Sequence, residues 1–356
     1  MLENHPDFSN TLIVWYLQHK RDLPWRNESQ PYYIWLSEII LQQTRVSQGL
    51  PYYLRFIQAF PTVSDLAKAS DVTVLKLWQG LGYYSRARNL HLTAKEIAFN
   101  RNGEFPKTYK ELLELKGVGD YTASAIASIC FNEPAAVVDG NVYRVLSRVF
   151  GVYTPVNSSS GVREFKKLAQ ELIDSERPGT FNQAIMEFGA RYCVPQNPDC
   201  GNCIFSNTCE ARRSKNVSKL PVKIGKQKIR HRHFNYMVML SEEQSSTVLQ
   251  QRTQKGIWQS LYEFPLIETE SEVTSEEAEQ HSDFREFAEK NDVRELLLFN
   301  ETPVIHKLSH QHLHTKFWVV KTGEQLSEPV PISEIKKYPV PVLIENFISE
   351  FSPFQN

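Results

Sequence analysis

Leu115-Lys116-Gly117-Val118-Gly119-Asp120-Tyr121-Thr122 is the stretch on which the fold of this chain turns. Tyr109 to Leu115 ahead of it and Tyr121 to Cys130 behind it carry apolar residues at helical spacing. Two glycines one residue apart, directly before a helix, expose backbone N–H groups, and a helix N-terminus attracts an anion without reading sequence. An ordinary turn between two packed helices accounts for the same residues, and the stretch alone fits either reading.

Working outward, apolar residues recur at helical spacing up to about residue 192, as in Ile34, Ile39, Ile40 and Leu41, and β-rich runs are nearly absent. After Lys228 the pattern changes. Phe234 to Leu240, Ser246 to Arg252 and Thr315 to Val320 read as strands, and a helix is expected near Ser282 to Leu298. The fold class expected is therefore multidomain, an all-α domain followed by an α+β domain. The predicted bounds are 1–213 for the helical domain, 214–230 for a basic linker and 231–356 for the second domain. A chain of 356 residues has room for both.

Lys and Arg outnumber Asp and Glu 25 to 21 up to Leu220 and fall behind 15 to 20 after it, so the front part is the better candidate for a polyanion partner. Between Glu210 and His233 lie nine basic residues (Arg212, Arg213, Lys215, Lys219, Lys223, Lys226, Lys228, Arg230 and Arg232), a solvated linker open to two further uses, tracking phosphate or docking another protein. Met1 to Lys20 carries Glu3 and Asp7 and no basic leader before a long apolar run, and no apolar stretch approaches bilayer length. The expectation is a cytoplasmic protein, nucleoid-associated if bacterial, with no membrane partner.

Four of the five cysteines crowd into Cys193-x6-Cys200-x2-Cys203-x5-Cys209, with Pro195, Pro198 and Gly201 supplying turns. Such clustering without an export signal favours metal over disulfides. Four close thiolates suit a soft-metal site, and coordination alone leaves zinc and a four-iron, four-sulfur cluster open. Cys130, in an apolar helical run, reads as core.

Two carboxylates stand out. Val137-Val-Asp-Gly-Asn-Val-Tyr-Arg144 is an apolar approach, a turn and a new helix, in which Asp139 reads at least as an N-cap. Trp35-Leu-Ser-Glu-Ile-Ile-Leu-Gln-Gln-Thr-Arg45 reads as an amphipathic helix with Glu38 among apolar neighbours. A glutamate so placed has a raised pKa, useful for donating a proton near neutrality, unless it lies on a solvent-facing turn.

Taken together, these motifs resemble, in order from about Asn10 to Phe351, the MutY-type adenine glycosylases of the endonuclease III, helix-hairpin-helix superfamily. The resemblance implies a monofunctional base-excision enzyme that hydrolyses the glycosidic bond of adenine mispaired with 8-oxoguanine or guanine in double-stranded DNA, acting as a monomer, with another repair protein as the partner the linker would dock. It makes 115–122 the hairpin, within a motif of about 109–130, with Gly117 and Gly119 cradling a phosphate and Lys116 where many hairpins have proline. It assigns one 4Fe-4S cluster to Cys193, Cys200, Cys203 and Cys209. Glu38 becomes the general acid and Asp139 the carboxylate facing the sugar, with Asn141 beside it. Tyr121 occupies the position of the endonuclease III lysine that makes a Schiff base, so no lyase step is expected.

The same resemblance places Leu23, Trp25, Arg26, Gln183 and Met186 around the adenine, and Gln43, Leu81 and Tyr83 where the nucleotide is extruded. Phe234 to Pro265 resembles a Nudix-like domain, without the R-E-x-x-E-E box that hydrolysis of nucleotides needs. Lys307-Leu-Ser-His310 resembles its lesion-inspecting loop, with Ser309 and His310 as contacts and Leu308 in place of phenylalanine. Two rivals share parts of the pattern: a bifunctional pyrimidine-damage lyase, opposed by Tyr121, and a noncatalytic DNA-binding module, opposed by the intact Glu38 and Asp139.

Overall fold

The computed structural model describes residues 7–225, 228–241, 245–322 and 326–355. Glu3, and Lys226 and Gln227 of the basic stretch, lie outside the described residues. The chain forms two compact units, one of Met1–Lys68 with Asn89–Gly225 and one of Ala69–Arg88 with Lys226–Asn356. Residues 69–88, which a boundary at 213 assigns to the first domain, cluster with the second.

The first unit is helical. The helices Phe8–His19, Gly140–Phe150 and Pro178–Arg191 share one apolar core that includes Leu12, Val145, Leu146, Phe181 and Phe188. Gly189 lets the last of these approach the start of Gly140–Phe150: a Cβ there would stand 2.9 Å from the Asn141 carbonyl oxygen and 2.7 Å from its Cβ. The helix holding Glu38 runs only over Pro31–Leu41, not on to Arg45, and Gln43 adopts φ 54° just beyond its end. Nor is it amphipathic. Ile34 through Ile40 are all buried, as expected of a helix surrounded by others.

The hairpin joins a short helix, Tyr109–Leu112, to Asp120–Phe131. The first helix ends three residues earlier than its apolar pattern suggests, because Leu115 and Val118 make turn bonds to the carbonyls of Leu112 and Leu115. Gly117 has φ +77° and a Cβ would lie 2.6 Å from Asn89 Cβ, so glycine is required twice over. Thr93 Oγ1 donates to the Lys116 carbonyl at 2.7 Å, and Val118 is buried beneath the turn.

The second unit is built on strands β1 (Arg230–Ser241), β2 (Ser246–Thr247), β3 (Gln250–Gln251), β4 (Tyr262–Glu263), β5 (Leu266–Thr269), β6 (Val293–Leu298), β7 (Val304–Lys307), β8 (Gln311–Thr322) and β9 (Val330–Pro331). Among the described residues the main sheet runs β6-β8-β1-β2-β9, with β5 on β1 and β7 on β8. β1 and β8 pair in parallel from Arg230↔Gln311 to Leu240↔Lys321. Neighbours on a strand face opposite sides. Phe317 accordingly stacks on Phe347 of the Val342–Glu350 helix at 4.0 Å, while Trp318 meets Phe284 of the Ser282–Lys290 helix at 5.2 Å on the other face. Two expectations need correction. Ser246 to Arg252 is two short strands rather than one, and the helix expected to reach Leu298 stops at Lys290. Asp292 takes φ 42° and turns the chain into β6, which pairs antiparallel with β8.

Candidate active site

Within the first unit, Glu38, Tyr121, Asp139 and Asn141 line a cavity of about 150 Å³ together with Leu23, Trp25, Arg26, Gln183 and Met186. All nine were singled out in the sequence. Glu38, Tyr121, Asp139 and Asn141 also border a wider groove of about 960 Å³, whose walls include Gln43, Gly119, Asp120 and Arg144. Leu23, Trp25, Arg26, Gln183 and Met186 belong to the inner cavity alone. Gly117 borders neither, although both hairpin glycines are exposed.

The two carboxylates are both buried but differ in the donors around them. Glu38 projects from a buried helix and is 8% exposed. Burial pushes its carboxyl above the ordinary glutamate value, Asp139 adds to this, and a hydrogen bond from Tyr121 and the charge of Arg26 oppose it. Asp139 caps the Gly140–Phe150 helix: Oδ1 accepts from the N–H groups of Asn141 and Val142, each at 2.8 Å, and Oδ2 accepts from Asn141 Nδ2 at 2.9 Å. Burial raises Asp139 above the ordinary aspartate value as well, with those donors and the charge of Arg144 opposing the rise. Three donors converging on two oxygens suit a carboxylate, which only accepts. Arg144 holds Asn141 in turn, Nη2 donating to Asn141 Oδ1 at 2.9 Å and Nε to the Cys193 carbonyl at 2.7 Å. The Tyr121 hydroxyl faces Glu38 and lies 3.1 Å from Met186 Sδ. No amine stands in its place.

Sequence reasoning missed one wall of this cavity. Glu187 is fully buried and takes a two-pronged contact from Arg21, at 2.7 and 2.6 Å, and a third hydrogen bond from Arg26 at 3.0 Å. Burial pushes its carboxyl up, but the Arg21 and Arg26 contacts outweigh that and hold it below the ordinary value. The signal was present: Glu187 lies among Ala184, Ile185 and Phe188, the same context that marked Glu38.

The cysteine loop departs from expectation. Among the described residues no group of three or more Cys, His, Asp or Glu is placed to hold a metal ion, so the 4Fe-4S cluster expected on Cys193, Cys200, Cys203 and Cys209 is not supported. The four line one cavity of only about 20 Å³, about the room one water requires. Three of the four thiols have protein partners. Cys193 Sγ accepts from Arg148 at 3.5 Å, Cys203 Sγ from the Phe205 N–H at 3.4 Å, and Cys209 donates to the Arg148 carbonyl at 3.3 Å. Burial pushes Cys203 up to about 11 and raises Cys193 and Cys209.

A second cavity, about 500 Å³, lies within the second unit. Leu81, Tyr83 and Arg88 line it with Ile257, Trp258, Leu308, Ser309 and His310. Two groups of residues marked separately in the sequence, Leu81 with Tyr83 and Ser309 with His310, thus share one wall. The Tyr83 hydroxyl lies 3.4 Å from Ser309 Oγ, which lies 3.4 Å from His310 Nδ1.

A buried acid and a helix-capping aspartate beside an exposed glycine hairpin define the class. Residues 36–174 match the model of the HhH-GPD superfamily of base excision DNA repair proteins, and residues 235–350 match a NUDIX domain. A thermostable thymine-DNA glycosylase is similar in structure, with TM-score 0.55 and 29% identity over 60% of this chain and 98% of that one. The adenine DNA glycosylase of Buchnera aphidicola subsp. Baizongia pistaciae is 34% identical over 88% of this chain and 86% of its own length. That of Arabidopsis thaliana is 40% identical over 74% of this chain, and that of Homo sapiens 46% over 58%. The chain belongs to the adenine DNA glycosylase family. It spans 39 to 48% of the length of the plant and mammalian relatives.

Proposed function

We propose that the chain excises adenine mispaired with 8-oxoguanine or guanine in duplex DNA by hydrolysis of the N-glycosidic bond, leaving an abasic site. The observation that carries this reading is the pairing, in one cavity, of a carboxyl driven toward its neutral form with one held by three donors. Two acids in one site with different hydrogen-bond environments can divide proton donation and charge stabilisation between them.

Adenine stacked in a duplex offers neither N7 nor C1′ to a side chain, so the nucleotide has to be turned out into the cavity at a cost of about a few kcal/mol. Gly117 and Gly119 then serve the phosphate backbone and Gln43 the extruded strand. Glu38 gives its proton to N7. The C1′–N9 bond breaks with its electron pair passing to the base, which leaves as neutral adenine. The cationic C1′ faces the Asp139 carboxylate, and water adds there while Glu38 takes back a proton. Tyr121 orients Glu38 and supplies no amine, so no Schiff base forms. In the second unit, Leu81 and Tyr83 stand where the nucleotide is extruded, and Ser309 and His310, which line the same cavity, inspect the opposite base. The functional division is a glycosylase part over 1–213, a linker over 214–230 and an inspecting part over 231–356.

The test is a single-turnover assay on a labelled duplex with adenine opposite 8-oxoguanine, read on a denaturing gel with and without alkali. Strand cleavage after alkali alone is expected. Equal cleavage without alkali would make the enzyme a lyase, and none under either condition would refute the assignment.

A further inference from the structure

A chain of hydrogen bonds runs from Glu187 to the cavity wall. Glu187 Oε2 accepts from Arg26 Nη2 at 3.0 Å, Arg26 Nη1 donates to the Tyr16 hydroxyl oxygen at 3.2 Å, and the Tyr16 hydroxyl lies 2.7 Å from Gln183 Oε1. The direction of this chain is fixed at its origin. Glu187 is a carboxylate held by two guanidinium groups and only accepts, and arginine only donates. The Tyr16 oxygen therefore receives a proton from Arg26 and has its own to give. Only an acceptor can take it, so Gln183 must turn Oε1 toward Tyr16 and present Nε2, a donor, at its other end. Tyr16 is 2% exposed and Glu187 is fully buried, so water does not rescue the opposite orientation.

The place of Gln183 in the cavity says which edge of a base it meets, given the excision reading above, on which this inference rests. Glu38, Tyr121 and Asp139 border both the inner cavity and the outer groove, whereas Gln183 and Arg26 belong to the inner cavity alone. A base attached through N9 to a sugar at Asp139, with N7 at Glu38, points its far edge inward. In adenine that edge carries N1, an acceptor. In hypoxanthine N1 bears a proton.

We propose that Tyr16 and Glu187 are positioning residues that fix the amide of Gln183 with its N–H end toward the base, so that the cavity selects a purine with an unprotonated N1. A donor facing N1–H leaves both groups unpaired in a buried site, which is where hydrogen bonding discriminates most strongly.

The experiment compares single-turnover excision of adenine and of hypoxanthine, each opposite 8-oxoguanine, by the wild type and by Tyr16→Phe, Gln183→Ala and the double variant. Tyr16→Phe removes the proton that holds the amide, and Gln183 is then free to turn. The ratio of adenine to hypoxanthine rates is expected to fall by about tenfold, the scale of one hydrogen bond. In the Gln183→Ala background the tyrosine change is expected to leave the ratio unmoved. A merely structural role for Tyr16 predicts that both rates fall together with the ratio intact, and that result overturns the proposal. So does an equal drop in ratio with and without Gln183. If Tyr16→Phe fails to fold, Glu187→Gln, whose amide still pairs with one arginine, is expected to lower the same ratio, and an unchanged ratio there overturns it. Absence of adenine excision by the wild type refutes the excision reading itself and is separately visible.

Discussion

The Tyr83 hydroxyl stands 3.4 Å from Ser309 Oγ, across 226 residues of sequence. The contact is long for an O–H···O bond and Tyr83 is 47% exposed, so its own contribution is small. What it does is bring the Leu81–Tyr83 turn, where Tyr83 takes φ 47°, beside the Ser309–His310 loop. If this wall inspects the base opposite adenine, Ser309→Ala lowers the preference for 8-oxoguanine over guanine several-fold, and Tyr83→Phe lowers it less. Single-turnover rates on the two mispairs measure this. Equal slowing on both by Ser309→Ala would remove the loop from recognition.

Asp139 and Glu38 differ in what their loss does to the fold. Asn is as good a helix cap as Asp, so Asp139→Asn is expected to keep the melting temperature near that of the wild type. Loss of its charge facing C1′ should lower excision by about 10²- to 10³-fold. Glu38→Gln removes the proton donor and should lower excision by about 10²- to 10⁴-fold while duplex binding persists. Single-turnover rates paired with gel-shift titrations separate the two effects.

Glu38 also ties stability to pH. Burial raises its folded value above 4.5, so the folded protein holds this proton more tightly than the unfolded chain. The stability it contributes is full below the unfolded value and is lost as pH rises through the folded one. Glu38→Gln, neutral throughout, escapes that loss. Its stability relative to the wild type is expected to improve as pH climbs from 4.5, and urea denaturation across that range measures it; a pH-independent difference would count against a buried, protonated Glu38. The excision rate of the wild type should fall over the upper part of the same window as the acid loses its proton.

Gly117→Ala combines a positive φ with overlap on Asn89 Cβ. The cost expected is about 1–3 kcal/mol, from left-handed backbone strain and a crowded site. If the hairpin holds a phosphate, binding to a duplex should also weaken, with a shallower dependence on salt. Denaturation and titration at several salt concentrations test the two parts.

Much of the site was legible before the fold. Asp139 announced itself because a cap is local: the turn and the helix that follow it are its neighbours in sequence. Glu38 did so because a lone acid in an apolar run is costly unless it is used. Glu187 obeys the same logic and was passed over, since its partners Arg21 and Arg26 are more than 160 residues away. The strand Val293–Leu298 was hidden for a related reason, as its apolar residues also suit a helix and only pairing with β8 decides between them. The cysteine spacing does bring the four cysteines to one small cavity, yet among the described residues no group is placed to hold a metal ion. Spacing limits which residues can meet; it does not aim them.

The segment 69–88 reaches its partners late. Lys76 Nζ donates to the Tyr338 carbonyl at 3.2 Å, the Val340 N–H to Gln79 Oε1 at 3.1 Å, and Arg88 to the Gln259 carbonyl at 2.6 Å. On a ribosome adding roughly 5–20 residues each second, those partners emerge roughly 10 to 50 seconds after the segment itself. For that interval Trp78, Leu81 and Tyr84 belong to a nascent chain whose own unit is unfinished, an opportunity for chaperones and proteases that ends only when the chain has passed Val340, beyond the last strand.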